Sequence, residues 1–95
     1  MGTVAVVEIT LVISGARSLK EKRRVLKSLI TQLRNKFNIS IAEVGYQDTW
    51  NFASLELALV GTDSGYVHKV LEGVKRSILN FHDVVLQEYD MHFTG

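Results

Sequence analysis

Residues 3–13, TVAVVEITLVI, put an apolar side chain at every second position: Ala5, Val7, Ile9, Leu11 and Ile13. The interleaved set, Val4, Val6, Glu8, Thr10 and Val12, is mixed. A period of two carried by β-branched residues predicts a strand whose first set faces a core and whose second lies on the sheet's other face. After the turn SGAR, residues 14–17, the period lengthens. Leu19, Leu26, Leu29, Ile30, Leu33 and Phe37 recur at helical spacing. Ser18 stands as N-cap with Glu21 three residues later, a capping box, and Asn38 is the expected end. ISIAEVGY (39–46) returns to strand character, and QDTWN (47–51) reads as a loop. FASLELALVG (52–61) alternates Leu55, Leu57 and Leu59 with Ser54, Glu56 and Ala58. A second helix, capped by Asp63 or Ser64, carries Val67, Val70, Leu71, Val74, Ile78 and Phe81 on one stripe, and a last strand runs from Val84 to Phe93.

The order is β-α-β-β-α-β. Two helices must bury their stripes against the apolar face of an antiparallel sheet, and right-handed crossovers then favour one arrangement. The expected fold is α+β: a ferredoxin-like two-layer sandwich with a four-stranded antiparallel sheet and two helices on one face, in a single domain spanning residues 1–95.

Composition narrows the setting. Apolar residues make up 46% and charged residues 22% of the chain, a globular rather than disordered balance. No cysteine is present, so disulfides, thiolate metal sites and cysteine nucleophiles are ruled out, and a cytoplasmic location is expected. The longest mostly apolar run, Val4 to Ile13, is interrupted by Glu8 and Thr10, so no membrane span is expected. Without a charged n-region and a small-residue cleavage site, no secretory leader is expected either.

Charge changes the picture most. Residues 17–36 hold eight of the eleven Lys and Arg and one acid, Glu21, a net of +7; the rest hold three bases and nine acids, a net of −6. With Leu19 at 0° and about 100° per residue, the apolar stripe of the first helix lies between roughly 280° and 20°. Arg23, Arg34, Lys27, Lys20 and Arg24 then fall between roughly 40° and 140°, along one flank. Arg17 precedes the cap, and Lys22 and Lys36 are assigned to the opposite flank. Like charges at i+3 and i+4, such as Lys20–Arg24 and Arg23–Lys27, are each unfavourable by about 0.2–0.5 kcal/mol, and cations at a helix N-terminus oppose its dipole. Local rules broken repeatedly in one place point to a site. The flank is either a binding surface for a polyanion or a solvated face whose long stems cover the core edge.

Other chemistry is sparse. His68, His82 and His92 have no ligand spacing, and no nucleotide-binding loop or nucleophile motif is present, so no enzyme activity, cofactor or metal is expected. Gly61-Thr62-Asp63-Ser64-Gly65 reads as a turn with an N-cap rather than a phosphate loop, because it lacks a lysine. Glu8 and Glu56 belong on the uncovered sheet face, with Glu43 expected beside them and the parity of Glu88 and Asp90 open. Such an acidic sheet, without stacking aromatics, would repel a nucleic-acid backbone. In the loop, Tyr46 and Trp50 either stack on a base or a partner's side chain, or serve structure, with Asp48 making an Asx-type turn and Trp50 folding over the core's end.

At ARSLKEKRRVLKSLI (16–30), FNISIAEV (37–44) and YQDTW (46–50), nearly the whole chain resembles the YlxP-like family of small uncharacterised bacterial proteins. The resemblance implies a ferredoxin-like fold. It implies no established activity, but the family's genes often neighbour those for translation initiation and ribosome-binding factor A, which points to the ribosome.

The leading expectation is a non-enzymatic cytoplasmic protein that engages structured, ribosomal RNA or a ribosome-assembly intermediate through Arg17, Lys20, Arg23, Arg24, Lys27 and Arg34. One alternative is an interaction or homodimerisation module that pairs the basic helix with an acidic surface. Another, by fold analogy, is a regulatory domain that binds an anionic metabolite near Arg17 and Lys20.

Overall fold

β1 (Thr3–Val12), α1 (Leu19–Lys36), β2 (Ser40–Gly45), β3 (Phe52–Gly61), α2 (Ser64–Leu79) and β4 (Val85–Thr94) follow one another in the computed structural model, which describes residues 1–94. The strands form one antiparallel sheet in the order β2-β3-β1-β4, with both helices on one face: a ferredoxin-like α+β fold. β1 and β3 are the two inner strands, and each buries one alternating set. Ala5, Val7, Ile9, Leu11 and Ile13 are all buried, and β3 meets them with Ala53, Leu55, Leu57 and Leu59.

The helices close this face with the expected stripes. Leu26, Leu29 and Leu33 of α1 and Val67, Leu71, Val74 and Ile78 of α2 are buried, each full burial of such a side chain contributing about 1.5–3 kcal/mol. α1 starts where its capping signal lies, with Ser18 Oγ accepting the Glu21 N–H at 3.1 Å. It ends at Lys36 with Phe37 as C-cap, slightly before Asn38. Asp63 caps α2 by accepting the Tyr66 N–H at 2.9 Å, so a carboxylate of the chain occupies the place an external anion would need.

β4 explains why its parity could not be fixed from alternation. A bulge in its pairing with β1, between Thr10 and Leu11, lets Val84 and Leu86 turn inward at even positions and Tyr89, Met91 and Phe93 at odd ones. Glu88 and Asp90 consequently lie on the uncovered face. Tyr89 ties the strand to α2, its hydroxyl donating to the Leu71 carbonyl at 2.7 Å.

Candidate functional site

The six cations expected to form a site, Arg17, Lys20, Arg23, Arg24, Lys27 and Arg34, are all exposed. Among the described residues none of them has a carboxylate within ion-pair distance. Glu21, the one acid in this stretch, is already engaged: its Oε1 accepts the Arg17 backbone N–H at 2.8 Å and so helps close the cap. Among the described residues, Arg34 is the one of the six whose side chain has a hydrogen-bond partner in the chain, donating to the Ile41 carbonyl of β2 at 2.7 Å. That bond orients the flank. Arg34, Lys27 and Arg23 overlook the outer margin of edge strand β2, whereas the other side of α1, with Gln32 and Lys36, lines a cleft against Gly73, Arg76 and Ser77 of α2. Arg17 and Lys20 do not line that cleft.

Lys22 departs from the expected placement. It is not on an exposed flank but 1% exposed, in the middle of the buried stripe beside Val25, Leu26 and Leu29. Its angle, roughly 300°, already fell within the stripe, and that was the signal for its burial. Glu43 departs too: Ile41 and Glu43 share one parity of β2, so the carboxylate turns inward, towards the helices, instead of joining Glu8 and Glu56. Each is a polar residue in an apolar row, and they meet. Lys22 Nζ lies 3.0 Å from Glu43 Oε2. That oxygen is buried and takes no aligned hydrogen bond, so the contact is one of charge.

The ammonium places its aligned hydrogen bonds elsewhere, donating to the carbonyls of Tyr46 and Thr49 at 2.5 Å each. These carbonyls belong to the turn between β2 and β3, which is closed by the Thr49 N–H bonding to Tyr46 O at 3.0 Å rather than by an Asp48 side chain. Tyr46 has a φ of 59°, the left-handed region that costs a residue with a Cβ about 1–2 kcal/mol. Its ring packs at a tilt against Phe52, with centroids 5.8 Å apart. Trp50 is 45% exposed and Tyr46 is 55% exposed.

The uncovered sheet face carries the opposite charge. Pairing aligns Glu56, Glu8 and Asp90 in one row across β3, β1 and β4, with Glu88 opposite Thr10. At this row His92 Nε2 lies 3.2 Å from Glu8 Oε1, between two exposed side chains. Val4, Val44, Val60 and Val85 stand exposed around it. No helix of the described residues is long and apolar enough to cross a membrane.

Residues 4–91 match the sequence profile of a family described as "Protein of unknown function (DUF503)". A Bacillus subtilis (strain 168) protein, "Uncharacterized protein YlxP", is 45% identical over 73 residues, covering 77% of this chain and 79% of its own. Among solved structures, "De novo designed protein Foldit4" superposes with a TM-score of 0.54 at 15% identity, covering 97% of each chain, a likeness of fold alone.

Proposed function

We propose that this chain, which belongs to the DUF503 family of proteins of unknown function, is a non-enzymatic cytoplasmic protein that holds structured RNA on the exposed flank of α1. The RNA is ribosomal, free or within an assembly intermediate, as the resemblance to YlxP-like proteins suggests. One observation carries the reading. Lys20, Arg23, Arg24, Lys27 and Arg34 crowd one side of a helix, and among the described residues none has a carboxylate within ion-pair distance. A phosphate backbone relieves that crowding and releases counterions. Arg34 keeps donors beyond the one given to Ile41, since a guanidinium has five N–H groups.

Binding of a ribosomal RNA hairpin measured across a salt series tests this. Neutralising about five phosphates predicts a log K against log salt slope of roughly −3 to −5. The variant R23E/K27E/R34E should abolish binding while circular dichroism stays unchanged. Binding that survives the triple reversal with the same slope overturns the assignment. The aligned carboxylates of the sheet face favour a second reading, in which the flank of one copy meets that row on another. Sedimentation of the protein alone at low and high salt separates the two: a self-complementary assembly forms without RNA and dissociates as salt rises, whereas the RNA-binding reading predicts a monomer at both salts.

A further inference from the structure

We propose that the turn after β2 is a preformed stacking platform for an unpaired nucleobase, with Tyr46 and Trp50 as its contact residues and Lys22 as its positioning residue; the inference rests on the RNA reading of the adjoining flank. Three independent features converge on this turn. Its two large aromatic rings are about half exposed, although a short turn between strands needs neither. Tyr46 holds a left-handed backbone that glycine or asparagine would adopt without penalty, so the residue type answers to the ring rather than to the turn. Lys22 sits where the stripe of α1 calls for an aliphatic side chain, and its hydrogen bonds go to the carbonyls of Tyr46 and Thr49, the second adjoining Trp50.

A desolvated ammonium placed in this way fixes the loop before any ligand arrives, which removes an ordering cost from binding. Phe52 supports one side of the Tyr46 ring and leaves the remainder open. Through Lys22 the platform is tied to the first turns of α1, the stretch that also carries Lys20 and Arg23. Stacking on Tyr and Trp is indifferent to base identity but requires an exposed base face. The ligand class is therefore RNA with an unpaired nucleotide flanking a helical stem, not a continuous duplex.

Trp50 is the only tryptophan, so its fluorescence reports on the platform directly. The probes are an RNA hairpin with a single-stranded uridine tail and a blunt RNA duplex with the same number of phosphates. The tailed hairpin should quench Trp50 and bind about tenfold more tightly than the duplex, and W50A or Y46G should erase that preference without changing the salt slope. Y46G should also shift Tm by less than about 4 °C, since it trades ring contacts for relief of the backbone. K22M/E43L, which removes both partners of the Lys22–Glu43 contact together, should retain the fold and the salt slope but lose the quench. Equal binding of both probes with unchanged Trp50 emission overturns the platform and leaves the RNA reading standing; binding of neither overturns both. A quench and preference that persist in K22M/E43L overturn the role of Lys22, and a Y46G variant that no longer folds shows the ring to be structural.

Discussion

The flank of α1 and the uncovered face of the sheet carry crowded charges of opposite sign, and neither is neutralised by the other. On the helix, cations are neighbours at i+3 and i+4; on the sheet, Glu56, Glu8 and Asp90 lie directly across from one another. The cations belong to the helix layer and the carboxylates to the uncovered sheet face, in a molecule whose smallest extent is 18 Å, against a screening length of about 8 Å at physiological ionic strength. A net charge of +1 thus hides a molecule polarised across its thickness. The lesson concerns approach as much as affinity: a polyanion has one side on which to land and is turned away from the other.

The largest effect separates two kinds of cation on α1. K22M should destabilise the fold by about 3 kcal/mol, because it leaves a buried carboxylate oxygen and two loop carbonyls without their ammonium. R23A and K27A, at exposed positions, should each stay within about 0.5 kcal/mol. Urea denaturation of the three variants checks this, and a flank alanine as costly as K22M would break the distinction. Next comes Y89F, which removes the bond to Leu71 and should cost about 1 kcal/mol.

Burial, and after it the Glu72 carboxylate, pushes the Tyr89 phenol far above its ordinary value, so folding favours its neutral form. Stability from this group is complete below about pH 10 and falls as pH rises beyond it, because the unfolded chain releases the proton first. The alkaline decline in urea midpoint should be shallower in Y89F than in the parent. A smaller gain is expected from E56T, about 0.2–1 kcal/mol of stabilisation as cross-strand repulsion with Glu8 is relieved, read as a rise in Tm. Smallest of all, E8K/D90K should alter RNA affinity less than about threefold at physiological salt, given the depth of the sandwich. A tenfold gain there would mean that the two faces do communicate.

Much of the architecture was legible because its signals are local. The alternation of β1, the Ser18 cap and the Asp63 cap depend on neighbours a few residues away, and the structure places each where its chemistry requires. The exposure of the flank cations followed from helical angle alone. What escaped depends on distant partners or on a change of register. Lys22 and Glu43 each looked like a surface charge, since the penalty of burying one disappears only when the other is known to face it. Their intrusion into two apolar rows was nevertheless a visible mark, and pairing such intruders is a usable rule. The acidic row was half visible: Glu8 and Glu56 followed from parity, whereas Asp90 and Glu88 waited on a bulge that leaves no clear signature in the alternation of β4.

The contact of Arg34 with the Ile41 carbonyl also governs how copies of this chain could misassemble. Ile41 and Glu43 are two residues apart, the spacing at which outward backbone groups recur along a margin, and Gln47 reaches the Glu43 carbonyl at 3.5 Å. Side chains thus plug the β2 margin against an incoming strand. Cross-β growth would have to start from β4, ten residues long, and there an added proline or lysine would suppress fibrils most effectively.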